Sequence, residues 1–579
     1  MNVQTNSRKQ QSITGDLKLS ISLCYYICFC FPSHSRHGTN RANGKAMVGG
    51  VALLREASPS PWSVLAGVAA ALVLWWAAQV LEYAWWAPRR MERALRAQGL
   101  RGTRYRFLWG DLKEESRLTA AALARPVRTD RPHDVFPRVS PLLHRVVQEH
   151  GKLSFTWFGT TPRITITDPQ LAREVMSNKD GCFLKTKITT RVTKLLFGGV
   201  AILDAEKWAK HRRILNPAFH TEKLKGMLPA FTAACSDLIC RWENLVADSV
   251  GSKELDIWSE FQSLSGDVIS RAVFGVSYQE GRRIFRLQAE QVVRVTNAFK
   301  TNHIPGFSLL PTENNRRMKA IDRETKTILR GIIEKRHEAM KNGEPTTTRD
   351  DLLGMLLESN MNYTDSDGKS SRGITLEEVI EECKLFYFAG TETTAVLLTW
   401  TIVVLSMHPE WQDQARDEVL EVFGQNNPDL SGVSRLKVVT MVLYEVLRLY
   451  PPALFINRRT YKQTELGGVM YPPDVMVMVP IMFIHRDPDL WGDDAGEFNP
   501  RRFADGVSKA CSDPGAFIPF SWGPRICIGQ NFALLEAKLA ISMILQRFAF
   551  ELSPAYVHAP YNVLTLHPQH GVLVRLRQL

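Results

Sequence analysis

The residues best placed to do chemistry lie in the run FIPFSWGPRICIGQNFALLEAKLAI. Phe520, Gly523, Arg525, Cys527 and Gly529 occupy a loop punctuated by Gly and Pro that leads straight into an apolar-periodic helix. A cysteine at a helix N-terminus sees the positive end of the dipole, and with Arg525 close by its pKa is expected to fall, favouring thiolate. An isolated cysteine is more often a small buried hydrophobe; this setting reverses that reading. The nine cysteines are odd in number, scattered and without a CxxC pair, so neither a disulfide framework nor a zinc site is expected. A reducing, cytosol-facing domain fits.

A second group is FAGTETTA at 388–395. Gly390 costs about 1 kcal/mol in a helix interior. The hydroxyls of Thr391, Thr393 and Thr394 compete for backbone carbonyls beside the carboxylate of Glu392. Such a cluster suits a buried helix that opens a groove locally, admits water and relays protons. Two further pairs share a helical face: Glu445 with Arg448 in YEVLRLYPP, and Trp208 with Arg212 in KWAKHRRILNPAFH. Either pair alone is weak, since an exposed ion pair at this spacing contributes about 0.2–0.5 kcal/mol and any basic helix can show the other. Arg458 and Arg459 in FINRRTY and Arg502 in FNPRRF complete the candidates. His485 and the remaining histidines have no ligand-like spacing and read as structural or surface groups.

The elements that must position these residues are mostly helical. The most informative helix starts at Thr375, where Thr375 and Glu378 form a capping box, and stops before Pro409. It spans roughly 50 Å. From 385 to 407 its one formal charge is Glu392, so a second membrane span is the competing reading; the polar cluster argues for burial in protein instead. Helical periodicity dominates 165–450, while KLSFTWFG, PRITITD and VMVMVPI predict a small amount of sheet. A prior of one domain per about 150 residues suggests four. No linker supports that division: KNGEPTTTRD and NYTDSDGKSSRG read as surface loops, and no internal repeat is present. The expectation is one mainly α domain with a minor β part over 136–579.

The run from Phe520 to Gly529 matches FxxGxRxCxG and resembles the cytochromes P450, the haem-thiolate monooxygenases. AGTETT, ExxR, FNPRRF and WxxxR follow the family's pattern in the right order, so the resemblance covers essentially everything from 135 onward and implies the cytochrome P450 fold. It implies that Cys527 is the axial thiolate on the iron of haem b. Arg525, Trp208 and Arg212 would face haem propionates, as would Arg458, an assignment its neighbour Arg459 leaves open. Glu392 and Thr393 would be the acid–alcohol pair that manages protons for O2 activation. Glu445, Arg448 and Arg502 would form a buried structural network worth 3–5 kcal/mol when one partner is removed.

QGLRGTRYRFLWGDLKE, NPAFHTEKLKGMLP and LHPQHGVLVRL are similar to the plant secologanin synthase-like branch, whose members oxidise terpenoids such as iridoids, triterpenes and gibberellins. The implied reaction inserts one oxygen atom from O2 into a lipophilic molecule, bound by residues before Ala389 and by 453–456. Electrons would come from NADPH through a separate flavoprotein reductase, because the chain has no convincing dinucleotide fingerprint. Lys207, Lys210, Arg212 and Arg213 include candidates for the reductase contact. Two alternatives are a haem isomerase or lyase acting on peroxides, which can dispense with the acid–alcohol pair, and a membrane haem protein that only carries electrons, in which that pair would have little purpose.

The formal charge of +13 first raises nucleic acid or an anionic membrane as partner. Its distribution removes nucleic acid: residues 1–56 hold a net +5 and residues 89–106 a net +6, leaving +2 for everything else. Between the two blocks, 57–81 lacks any charge and exceeds the roughly 20 residues a spanning helix needs. Trp62 at one end and Trp85 and Trp86 at the other suit the two interfaces, and Arg89, Arg90, Arg93 and Arg96 place the following chain in the cytosol, a contrast weakened by basic residues before the run. A cleaved signal peptide would have a shorter apolar region of about 7–15 residues and a small-residue cleavage site. The resulting organisation is an N-terminal extension (1–56) in which translation is expected to start at Met47, a single transmembrane anchor (57–88), a basic connector (89–135) and the catalytic domain. The location expected is the endoplasmic reticulum membrane, with the catalytic domain facing the cytosol.

Overall fold

Alternating apolar residues in KLSFTWFG and VMVMVPI become strands that pair across the chain, in a computed structural model that describes residues 60–579 apart from 129, 179, 187–191, 249–251, 276–277, 300, 302–303, 305, 343–350 and 365–372. The expected extension 1–56, with Met47, and the first residues of the expected anchor lie outside the described residues. The main sheet uses β1 (Arg101–Gly102), β2 (Ser154–Phe158), β3 (Thr161–Thr165) and β4 (Phe183–Leu184) from the first half of the chain. After β5 (Lys253–Asp256) come β6 (Phe455–Thr460), β7 (Thr464–Leu466), β8 (Val469–Tyr471) and β9 (Met476–Pro480). The last strands are β10 (Phe548–Leu552), β11 (Pro560–Val563), β12 (Thr565–Pro568) and β13 (Leu573–Gln578). The six-stranded order is β1-β2-β3-β9-β6-β4; β10-β13-β5 form a second sheet, and β11-β12 and β7-β8 are hairpins.

Helices carry most of the chain. Those that bear on the site are α1 (Pro61–Leu81), α2 (Ala87–Ala97), α3 (Leu112–Leu123), α4 (Ala205–Leu215), α5 (Thr221–Ala247), α6 (Ile257–Phe274), α7 (Leu376–Met407), α8 (Val438–Leu449) and α9 (Gln530–Arg547). The capping box forms as expected: Glu378 N–H donates to Thr375 Oγ1 at 3.3 Å and Thr375 N–H donates to Glu378 Oε2 at 2.9 Å. α7 is apolar and long enough to cross a membrane, yet 78% of its most apolar stretch is buried inside the protein. Its Trp400 stacks on Tyr450 at 4.9 Å and donates from Nε1 to Leu566 O at 2.8 Å, so the helix is a core element. α6 lies against it so closely that a Cβ on Gly390 would come within 2.4 Å of Ile269 Cδ1. The glycine is where that neighbour sits.

The chain divides into two units, 1–72 and 73–579. α1 has no buried residue, and Trp62, Trp75 and Trp76 are all well exposed. A five-residue π-turn, Glu82–Trp86, then joins it to α2. Trp85 is not a free interfacial side chain: its ring packs on Phe107 with centroids 5.9 Å apart and lies under the Arg89 guanidinium at 3.8 Å. The stretch 89–135, expected as a connector, is folded. β1 pairs in parallel with β2, and Leu95, Leu100, Tyr105, Leu112 and Val135 are buried. Long arginine stems cover apolar surface while their heads find carbonyls. Arg96 does both, lying over Phe155 at 5.2 Å and donating to Gly102 O at 3.0 Å.

Candidate active site

The Cys527 loop is closed by its own backbone. Cys527 N–H donates to Phe520 O at 2.9 Å and Ile526 N–H to Gly523 O at 3.0 Å, after which Gly529 leads into α9. Gly523 has φ +70°, and a side chain there would be strained and would press on Met176 O at 3.1 Å. The Cys527 side chain is accessible to water-sized contact, yet its thiol pKa is raised by desolvation. The expected fall in this pKa is therefore not met: burial outweighs the Gly529 N–H and the nearby Arg212 cation, which act in the lowering direction. Nor is Arg525 the cation that acts on the sulfur. Its guanidinium donates to Leu203 O at 2.6 Å and Asp204 Oδ1 at 2.8 Å, and lies over the Trp208 ring at 4.4 Å.

Four cations gather beside the loop around one carboxylate. Arg458 is held down to about 10 by burial and by Arg525, and Lys185 is pulled down to about 7 by burial, Arg458 and Arg525, with Asp204 acting the other way on both. Arg212 and Arg525 are lowered by burial as well. Among the described residues the Arg212 guanidinium and Lys185 Nζ make no hydrogen bond to protein, and the Arg458 guanidinium donates only to the carbonyl of Asn457, at 3.0 Å. Partly desolvated cations without matching acids suit a ligand that brings carboxylates. The alternative cation, Arg459, turns away to Asp474 Oδ1 at 2.9 Å and Lys185 O at 3.1 Å. Trp208 and Arg212 are presented by α4, which is tied to α7 through His211 Nδ1 and Glu382 Oε1 at 2.5 Å, both buried.

The middle of α7 is less covered than the rest of its length. Within an otherwise buried run, Phe388, Ala389, Gly390, Thr391 and Thr393 are half-buried, as are Ala453, Phe455 and Ile456 of the segment entering β6. The helix stays α throughout. The expected groove is thus expressed as the Thr393 hydroxyl donating to Ala389 O at 2.7 Å and not as a break. Glu392 turns from Thr393 toward the C-terminal hairpin, accepting from Thr565 Oγ1 at 2.7 Å and pairing with His567 Nε2. A flat group carrying acidic substituents fits these features together: an exposed cysteine, cations short of acids, and a half-buried stretch of helix.

The structural network is built as its spacing suggests. Glu445 and Arg448 are completely buried and joined by two hydrogen bonds of 2.7 Å, and Arg448 also donates to His485 O, Ala495 O and Glu497 O. Arg502 approaches Glu445 at 3.5 Å, but its close carboxylate partner is Asp494 at 2.7 Å. His485 connects this network to the segment leading into the cysteine loop, its Nε2 accepting from Ile518 N–H at 3.0 Å. Sequence reasoning missed His485, His211, Asp204, Lys185 and His567 as parts of the site. Each earns its place from a partner far along the chain, which local spacing cannot signal.

The cytochrome P450 family model matches residues 138–573. Cytochrome P450 CYP72A616 of Paris polyphylla is 57% identical over 515 residues, covering 89% of this chain and 98% of that protein. Cytochrome P450 72A11 of Arabidopsis thaliana is 51% identical, covering 89% and 99%, and secologanin synthase 2 of Catharanthus roseus is 48% identical, covering 88% and 96%. Matches of that depth and length, on a mainly helical fold with a long buried central helix, establish that the chain is a monooxygenase of the cytochrome P450 family, in the branch that includes the secologanin synthases.

Proposed function

We propose that the protein is a membrane-anchored monooxygenase that inserts one oxygen atom from O2 into a lipophilic terpenoid, using electrons from NADPH delivered by a flavoprotein reductase. The observation that carries the reading is Cys527, exposed in a loop closed by its own backbone, close to Arg212 and beside cations short of acids. Cys527 would hold the iron of haem b, while Arg212, Arg458, Arg525, Trp208 and also Lys185 would receive its two propionates. Bound there, the thiolate-ligated haem supplies O2 activation and O–O cleavage. The chain's own groups do the rest. Gly529 N–H moderates the sulfur's basicity. Thr393 and Glu392 would hold and pass protons, and half-buried Phe388, Ala453, Phe455 and Ile456 would exclude water and hold an apolar substrate.

The terpenoid assignment rests on similarity to the secologanin synthases. The anchor rests on α1, which buries nothing, with the domain on the cytosolic side of an endoplasmic reticulum membrane. Lys207 and Arg213 are exposed on α4 and suit an acidic reductase face, whereas Arg212 points to Cys527. The peroxide-rearranging and electron-carrier alternatives leave Glu392 and Thr393 without work. The deciding experiment is a carbon monoxide difference spectrum of the reduced protein and of Cys527→Ser. A red-shifted band near ~450 nm in the first and its loss in the second are expected for a thiolate ligand; no such band in the first overturns the reading. Turnover of a terpenoid panel with added reductase and NADPH then identifies the substrate.

A further inference from the structure

The carboxylate of Glu392 does not stand alone above its helix. Thr565 and His567, two apart on β12 and hence on one face of the strand, both reach Glu392 Oε1. The His567 ring is held by Trp258 of α6, with centroids 4.9 Å apart, and by Tyr561 of β11, its register partner across the hairpin, edge-on at 6.1 Å. The pair is largely shielded, with side-chain exposures of 14% for His567 and 11% for Glu392, so the histidine keeps an edge toward water. The titratable groups facing the ring are Glu392 from α7 and Tyr561 from β11. Arg138, packed on the same hairpin, is turned to Pro560 O and Gln569.

We propose that His567 supplies protons to Glu392 and positions its carboxylate; this rests on the haem-thiolate reading above. A carboxylate can only accept, so the Nε2 facing it carries the hydrogen. In the step, the Nε2 proton of the imidazolium passes to Glu392 Oε1, leaving a neutral imidazole and a neutral carboxylic acid. The ring keeps its Nδ1 hydrogen and, once Glu392 has passed its proton on, regains one at the vacated Nε2 from hydronium in the solvent, and no electron moves. Arginine or lysine here would hold the carboxylate as a fixed ion pair, and glutamine would donate a hydrogen bond without transferring a proton. Of these side chains, histidine alone both holds and gives near neutral pH.

The test uses the full-length haem protein with reductase and NADPH, no substrate added, comparing wild type with His567→Gln and His567→Phe. All three should show the carbon monoxide band. Urea unfolding reports the pairing: His567→Gln should keep the wild-type midpoint and His567→Phe should lower it. NADPH consumption reports the proton: it should fall about tenfold in His567→Gln at pH 7, with more peroxide and less water formed, and follow a pH profile different from that of the wild type. Wild-type rate, product ratio and pH profile in His567→Gln overturn the proposal. Equal loss of midpoint and turnover in both variants overturns it too, because the contact is then only structural. Absence of the band from the wild type would instead defeat the parent reading.

Discussion

Acidification should loosen the protein through His485, and the size of the effect follows from where the ring sits. The side chain is completely buried, and its Nε2 accepts from Ile518 N–H at 3.0 Å, which leaves Nδ1 to donate to Arg448 O at 3.2 Å. Burial first, and then the Arg448 cation, hold its pKa down at about 3 against 6.5 for a free imidazole. Between those values the unfolded chain binds the proton and the folded one does not. Stability from this group is therefore complete above pH 6.5 and is lost as pH falls. At 1.36 kcal/mol per unit the loss is about 1.4 kcal/mol from pH 7.5 to 5.5 and about 2.7 kcal/mol by pH 4.5. His485→Gln cannot titrate. Its carbonyl can still accept from Ile518 N–H, but it gives up the ring stacking on Phe517 at 5.5 Å, so it should be the weaker protein at pH 7.5. It should nevertheless lose less on acidification by those amounts. His133, likewise held to about 3 by burial, is common to both proteins and cancels. Urea midpoints from pH 7.5 to 4.5 make the comparison, and parallel curves for the two proteins would refute the reasoning.

Removing Arg448 as Ala should cost about 3–5 kcal/mol, because Glu445 is left as a buried charge without its partner. Arg448→Lys should fail almost as badly, since one ammonium cannot make the five donations now directed at Glu445, His485 O, Ala495 O and Glu497 O; haem retention and urea unfolding measure both. Glu536 of α9 is buried, and desolvation raises its pKa well above 4.5, with the Ser265 hydroxyl acting in the lowering direction. A raised folded pKa means stability present at low pH and lost as pH rises. Glu536→Gln should therefore match or exceed the wild-type urea midpoint at pH 8; a clear loss of stability there would show that an ionised Glu536 is needed.

Much of the site was legible because it is short-range. The FxxGxRxCxG spacing around Cys527, the capping box at Thr375 and the stop at Pro409 depend on residues within a few positions of one another, and each appears where the chain places it. The four-residue step from Trp208 to Arg212 likewise survives as one face of α4, because helical periodicity needs no tertiary partner. The packing of the segment 89–135 is not legible for the complementary reason. Its arginines look solvated until β2 supplies the strand beside β1 and Phe155 supplies the surface for Arg96.

By itself the sequence determined the family, the long buried helix and the identity of the cysteine with chemistry in its surroundings, all of which rest on spacing and composition along one stretch of chain. Tertiary structure decided the direction of the Cys527 pKa shift, which cation lies by the sulfur, which of Arg458 and Arg459 joins the cluster, and that Glu392 meets a histidine 175 residues away. Desolvation and through-space charge depend on what packs around a group in three dimensions, and that packing joins residues whose separation along the chain carries no signal.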